Sequence, residues 1–264
     1  MNVFRLVGQW RKRTETAPLP PPPGSSLYGD DKATDPYQIS HAVSGALLSA
    51  VDHMDALRAL ILDAHIVHAR APFTLLRAAL ENSATAVWLL APDRRDDRAL
   101  RRLRLQWADS RDGESAETLF AAEPRLSKAN WTATLKGIGQ ARGWSEDQLK
   151  AITNGKVTYT EIVRTAAEEA YDADITERDA LFCWREASGI AHAKFWAMLS
   201  PILNRVELPG ALDDSIVTVK LSASNTGLAM IASLTSLMIM EGYRLLDVRS
   251  VPYFVQDVTW AQAS

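Results

Sequence analysis

The chain has 264 residues, of which 47% are hydrophobic and 23% charged, and its formal net charge is −3. This composition excludes a chain that is intrinsically disordered throughout, and the charge gives no global basic field for nucleic-acid binding. The single cysteine excludes an internal disulfide and a cysteine zinc cluster.

Residues 1–15 are basic and amphipathic. Their apolar side chains recur at helical spacing: Val3, Leu6, Val7 and Trp10. We expect a loosely docked helix here, with membrane-surface or partner docking as the alternative. The segment has neither the apolar core nor the small-residue cleavage site of a secretory signal. We therefore expect a cytoplasmic protein.

Proline dominates the next segment, which holds five prolines between positions 18 and 23. Proline removes a backbone donor and fixes extended geometry. The composition predicts a flexible Pro-rich linker over residues 16–37. We expect a single all-α domain over residues 38–250 and a C-terminal tail over residues 251–264.

Most of the chain has the three- and four-residue apolar spacing of helices. The predicted helices span residues 41–70, 73–90, 132–141, 145–152, 160–170, 176–199 and 225–248, and another begins near Asp93. Ser145 and Gln148 have the spacing of a capping box. Residues 113–129 are predicted to be mainly a connection.

One segment has strand character. Between residues 205 and 221, β-branched residues follow a Pro-Gly turn signal. The predicted fold class is all-α: a multi-helix bundle with one short irregular or β-hairpin-like segment near residues 205–221. Residues 221–240 carry no charge, but serine, threonine and asparagine dilute them, so we predict a buried helix and no membrane span.

The familiar catalytic motifs are absent: we find no phosphate-binding loop, dinucleotide fingerprint, nucleophile elbow or zincin helix. His65 and His68 share one face of the predicted 41–70 helix, where they would bind a metal together or simply lie near the helix end. We favour the second interpretation and expect no metal and no cofactor. Cys183 is expected to be an inert packing residue.

The predicted 176–199 helix carries polar residues on an apolar stripe. At about 100° per residue, Ser188, His192 and Trp196 fall within about 60° of Arg185, as do Leu181 and Leu199. We therefore expect Arg185, Ser188 and His192 to face the bundle. Arg185 and His192 are about 10.5 Å apart along the axis, which lets both converge on one small anion.

The predicted 73–90 helix has a related anomaly. Arg77 and Glu81 lie four residues apart in a segment that is apolar on nearly every side. A buried charge needs a partner. We expect a polar network that joins Glu81 to Arg77, and to Arg185 or His192 across the bundle. Gly189 indicates close approach of a backbone or a ligand.

The Arg185–x6–His192 spacing resembles the R-x(4–6)-H signature of HEPN domains. Residues 188–192 and 77–82 also look like uncharacterised bacterial helical families loosely associated with that fold. The resemblance implies an all-α domain, often dimeric, of a kind that includes metal-independent ribonucleases of toxin–antitoxin, anti-phage and RNA-processing systems. It implies RNA, an antitoxin or other partner protein, and a homodimer as partners.

The resemblance also implies residue roles. His192 would be the general acid or base, Arg185 would stabilise the phosphate, and Ser188 would orient either one. Glu81, paired with Arg77, would hold Arg185 in place. The arginines expected to bind RNA are Arg94, Arg98, Arg101 and Arg102; the alternative is a solvated face balanced by nearby aspartates.

Two other interpretations remain open. In one, the chain is a non-catalytic interaction or ligand-binding module, and Arg77, Glu81, Arg185 and His192 form a buried structural network. In the other, Trp88, Trp184 and Trp196 line a small-ligand pocket, although aromatic residues at helical spacing usually belong to a core.

Overall fold

The computed structural model describes residues 3–15, 20–120, 128–170, 175–208 and 218–253. Within them the chain is helical apart from two strands and their connections. The helices are α1 (Val3–Thr14), α2 (Ser26–Thr34), α3 (Ile39–Arg58), α4 (Ala71–Leu90), α5 (Arg95–Glu117), α6 (Lys128–Ala141), α7 (Glu146–Thr153), α8 (Tyr159–Glu169), α9 (Glu177–Ala191), α10 (Phe195–Met198) and α11 (Asn225–Ser250). The strands are β1 (Leu203–Glu207) and β2 (Val219–Ala223). The predicted all-α bundle is confirmed.

Helix α4 is the centre of the bundle and packs against α3, α8, α9 and α11. Its second half, residues 83–90, is buried on every side, and Pro72 lies in its first turn, where a missing donor costs nothing. Its C-terminal carbonyls accept hydrogen bonds from the Arg249 guanidinium of α11, at Leu90, Ala91 and Pro92. Arg249 thus satisfies acceptors that the helix itself leaves open.

A second, smaller core lies where α5, α6 and α7 meet. Its buried residues include Trp131, Leu135, Trp144 and Leu149. Ser145 and Gln148 form the predicted capping box at the start of α7. Helix α5 continues to Glu117, so it runs into the segment that was predicted to be a connection.

The prediction of a flexible linker over residues 16–37 is wrong for its second half, where α2 forms. The Ser25 side chain caps this helix, and Leu27, Asp30 and Thr34 are buried. Asp30 accepts hydrogen bonds from Arg98 Nε at 2.7 Å and from Arg98 Nη2 at 2.8 Å. The proline content led to the prediction of a linker, and no local sequence pattern indicates that Asp30 pairs with Arg98. Residues 16–19 lie outside the described residues.

The two ends of the described chain pack on the bundle. Helix α1 contacts α3 and α11, with Val7 and Trp10 buried. Its Arg13 pairs with Asp247 and lies over the Tyr243 ring at 4.3 Å. Ser25 and Pro252 form an isolated antiparallel bridge. The rest of the predicted C-terminal tail, residues 254–264, lies outside the described part.

Two predicted helices end earlier than their patterns indicate. The 41–70 helix becomes a π-helical turn at Ala59–Asp63, and His65 then adopts a positive φ of 55°. His65 and His68 therefore lie in a loop and do not share a helix face. The 176–199 helix ends at Ala191, because Ala193 adopts a positive φ of 53°, and α10 is a separate turn.

The predicted hairpin-like segment is a two-stranded antiparallel sheet. Leu203 pairs with Ala223, and Glu207 pairs with Val219. Residues 209–217, between the strands, lie outside the described residues. Among the helices that the structure describes, none has both the length and the apolar character that crossing a membrane requires.

The Asp30–Arg98 pair is expected to be essential for stability. Asp30 is fully buried and the Arg98 side chain is 2% exposed. Asp30→Asn leaves the guanidinium charge without its partner and is expected to lower the free energy of unfolding by about 3–5 kcal/mol. Urea denaturation of this variant, with exposed Asp52→Asn as control, measures the effect. An equal, small change in both variants would contradict the expectation.

Candidate functional site

Three polar side chains from α4 and the end of α9 meet at one place. Arg77 Nε donates to Glu81 Oε1 at 2.8 Å, and Arg77 Nη1 lies 2.7 Å from His192 Nε2. Trp184 Nε1 donates to the same Glu81 oxygen at 2.8 Å. The guanidinium of Arg77 therefore links a buried carboxylate to an imidazole on a neighbouring helix.

Glu81 is the anchor of this group. It is 8% exposed, within the most enclosed helix of the bundle. An isolated carboxylate in that position would be strongly unfavourable, and two donors on Oε1 offset the loss of water. Because Arg77 and Trp184 are fixed by the same oxygen, the carboxylate also fixes the orientation of both.

The contact with Arg77 defines the state of His192. A guanidinium has donors only, so Nε2 of His192 must accept. A hydrogen bond from Arg77 therefore requires the imidazole tautomer that carries its hydrogen on Nδ1 and leaves Nε2 as the acceptor. His192 is solvent-exposed, so a neutral histidine with a hydrogen-bonded cation faces the outside of the bundle.

The end of α9 explains the position of His192. His192 is the C-cap, with φ −95° and ψ 10°, and its backbone N–H donates to the Ser188 carbonyl. The left-handed turn at Ala193 then lets Lys194 N–H donate to the Gly189 carbonyl at 2.8 Å. This closure of the helix end keeps His192 beside α4.

Arg185 does not join the network, contrary to prediction. It is exposed, and Glu81 pairs with Arg77 and Trp184 instead. Arg185 is not among the buried residues of α9, which are Ala180, Cys183, Glu186, Ala187, Gly189 and Ile190. The predicted inward stripe depended on Trp196 and Leu199, which lie beyond the end of the helix. Ser188 is half-buried.

The predicted RNA-binding arginine face of α5 is wrong for most of its members. Arg98 is buried on Asp30, and Arg101 donates to Glu169 and to the Trp88 carbonyl. Arg102 lies over the Tyr37 ring and donates to the Gln38 carbonyl, and burial lowers its pKa. Arg94 alone of the four is exposed. The arginines of α5 therefore act mainly as internal ties.

Sequence reasoning missed Trp184 and Tyr159 at this site. The indole N–H of a half-buried tryptophan needs an acceptor, which was the available signal for Trp184. Tyr159, at the start of α8, is partly exposed, and burial together with the Glu81 carboxylate raises the pKa of its phenol. The three tryptophans proposed to line a pocket have different surroundings: Trp88 is buried in the core, Trp184 is bound to Glu81, and Trp196 is half-exposed.

The described ranges contain no group of three or more histidine, cysteine or acidic side chains that could hold a metal ion. The chemistry that the site offers is acid–base and electrostatic. A neutral imidazole accepts a proton, and adjacent guanidinium donors stabilise an anion. Cleavage of a phosphate ester needs both a proton acceptor and donors that stabilise an anion.

The Cys183 thiol is expected to be unreactive in the folded protein. Burial raises its pKa to about 12, so the thiol stays protonated at pH 8. Titration with a chromogenic disulfide at pH 8 should detect no thiol in the native protein and one thiol per chain in urea. Rapid reaction without denaturant would contradict the buried position.

The Trp184–Glu81 hydrogen bond is expected to contribute to the docking of α9 on α4. A double-mutant cycle with Trp184→Phe, which removes the donor, and Glu81→Met, which removes the acceptor, should give an interaction energy of about 1.5–3 kcal/mol, the range for a hydrogen bond to a charged group. Urea denaturation of the four proteins measures it. Additive effects of the two substitutions would show that the bond contributes nothing.

No protein-family model matches the chain, and comparison with curated proteins and with solved structures found no significant match.

Proposed function

We propose that the protein is a metal-independent ribonuclease of the HEPN-like toxin or defence type, acting in the cytoplasm as a homodimer. The observation that carries this proposal is the exposed His192, with its Nε2 2.7 Å from Arg77 Nη1. An imidazole held neutral beside a cation is the pair that phosphodiester transesterification needs. Arg185, exposed on the same helix, supplies a second cation.

The reaction follows from these groups. His192 Nε2 takes the proton of an RNA 2′-hydroxyl, and the 2′-oxygen attacks the adjacent phosphorus. The bond from phosphorus to the 5′-oxygen breaks, leaving a 2′,3′-cyclic phosphate and a 5′-hydroxyl. The leaving 5′-oxygen takes a proton from solvent, and the imidazolium formed at His192 returns its proton to solvent, so that the protons balance. No metal enters the proton balance.

The guanidinium of Arg77 would have two tasks in this reaction. Its Nε stays on Glu81, which fixes the plane of the group, and its terminal nitrogens remain available to a phosphate oxygen. When a phosphate accepts from Nη1, Nε2 of His192 is released to act as the base. Arg185 would stabilise the charge that develops on the phosphorus oxygens.

A second candidate is favoured by the burial of Glu81. Its bonds to Arg77 and Trp184 join α4 to α9, which is also what a purely structural network would do. In that case the module binds a partner without catalysis. The two candidates differ in one measurable respect, because a structural network predicts loss of stability and no RNA cleavage.

The test is cleavage of single-stranded RNA by the full chain in the presence of EDTA. Wild-type protein is expected to leave cyclic phosphate ends. His192→Ala and Arg185→Ala are expected to lower the cleavage rate by about a hundredfold or more, since general acid–base catalysis alone contributes about 10²–10⁴. Arg77→Lys, which keeps the charge and loses the fork geometry, should also be impaired.

Arg178→Ala is the matched control, because Arg178 is an exposed arginine of the same helix, two turns before Arg185. It should retain wild-type cleavage. Thermal unfolding separates the two candidates. If His192→Ala and Arg77→Lys unfold at lower temperature and wild-type protein leaves RNA intact, the structural network replaces the ribonuclease.

A further inference from the structure

An exposed aromatic group lies beside the proposed phosphate site. Trp196 of α10 is 51% exposed and Phe195 is 79% exposed. Phe182, on α9, is 42% exposed. Large aromatic side chains in water carry a cost that a folded chain normally avoids. Such exposed rings near Arg185 and His192 indicate a surface that binds a ligand.

Gly189 fixes the place of Trp196 on α9. A Cβ built at Gly189 would lie 2.6 Å from Cζ2 and 2.8 Å from Cη2 of Trp196, which is too close for any side chain. The absence of a side chain at Gly189 therefore lets the indole ring rest directly on the helix. The sequence predicted close approach of a backbone or a ligand at Gly189, whereas the groups that approach it are side chains, the indole of Trp196 and the Cβ of Ala197.

The position of Gly189 places the indole ring between Arg185 and His192. On a helix, residues three and four apart are neighbours. Gly189 is four residues after Arg185 and three before His192, so the three form one stripe on α9. Phe182, three residues before Arg185, extends the stripe. The order along the surface is therefore Phe182, Arg185, Trp196 and His192, so that an aromatic ring lies on either side of the Arg185 guanidinium and the imidazole of His192 follows.

The charge around this stripe suits a polyanion. Arg185 and Lys194 are exposed, and Arg70 is exposed beside α10, with Nη2 3.8 Å from Met198 Sδ. The carboxylate of Glu81 is already neutralised by Arg77. Three exposed cationic side chains thus lie on α9 and around α10, while the Glu186 carboxylate, which follows Arg185 in the chain, is buried.

We infer that this surface, Phe182, Arg185, Trp196 and His192, binds single-stranded RNA with a nucleobase stacked on Trp196. Exposed aromatic rings next to cationic side chains suit an unpaired strand, because its phosphates pair with the cations and its bases have free faces for stacking. In a duplex those faces are stacked on neighbouring bases, and a lipid or protein surface has no bases to stack. The inference rests on the proposed function for the role of His192, and it adds the strand preference of the site.

The test uses a fluorescein-labelled 2′-O-methyl oligonucleotide, single-stranded or annealed to its complement, because this backbone has no nucleophile and is not cleaved. Anisotropy titration with the full chain should show tighter binding of the single strand. Trp196→Leu, which keeps an apolar side chain and removes the aromatic face, should weaken single-strand binding about tenfold. Trp196→Phe should keep most of the affinity, and duplex binding should change in neither variant.

Tyr253→Leu is the control, since it removes another exposed aromatic ring, 60% exposed, from a different part of the fold. It should bind like wild type, and circular dichroism should show the same helix content for all variants. Equal single-strand affinity of wild type and Trp196→Leu, a preference for the duplex, or no binding by wild type would each overturn the inference.

The outcomes also separate this inference from the proposed ribonuclease. If the single strand binds through Trp196 and ordinary RNA is left intact, the stacking surface stands and the ribonuclease fails. If Trp196→Leu cleaves ordinary RNA with the wild-type KM, the stacking surface fails and the ribonuclease stands.

Discussion

A carboxylate enclosed in the central helix requires compensation, and much of the arrangement around α4 follows from it. Glu81 is satisfied by Arg77 from its own helix and by Trp184 from α9. The first bond straightens a guanidinium so that its far end reaches His192, and the second fixes how α9 lies against α4. An apolar residue at position 81 would pack well in this core, yet it would leave Arg77 without orientation and His192 without a neighbour. The Glu81 carboxylate therefore serves mainly to orient Arg77 and α9, since a buried ion pair is by itself weak evidence for stability.

The sequence predicted the parts of the fold that depend on local pattern. The apolar α4, the capping box of α7 and the antiparallel strand pair formed where spacing and turn signals indicated. It did not predict the departures from regular helix, because the π-helical turn at Ala59–Asp63 and the left-handed Ala193 have no residue signature such as glycine. The helix content of α2 was hidden for a different reason: its stability comes from Asp30 meeting Arg98 sixty-eight residues later, and such a pairing is invisible to any local window.

At the candidate site, too, the contacts set by local spacing were predicted and the others were not. The four-residue spacing of Arg77 and Glu81 was sufficient to predict their contact, since it is a property of any helix. The orientation of Arg185 was not predicted correctly. The predicted helix continued past Ala191, and this extension placed Trp196 and Leu199 on the same face as Arg185. The arginines of α5 add a related lesson. Their number indicated a charged surface, whereas Arg98, Arg101 and Arg102 each bind groups within the fold. A guanidinium has donors in several directions and suits such internal ties, so counting arginines does not measure surface potential.

The bond between Arg249 and the end of α4 has a consequence for synthesis. Helix α11 is the last described helix of the chain, yet it covers α4 and occupies the carbonyls at residues 90–92. A growing polypeptide therefore exposes the side of α4 that α11 covers until α11 has been synthesised. Nascent chains that lack α11 would therefore expose hydrophobic surface of the kind that chaperones bind.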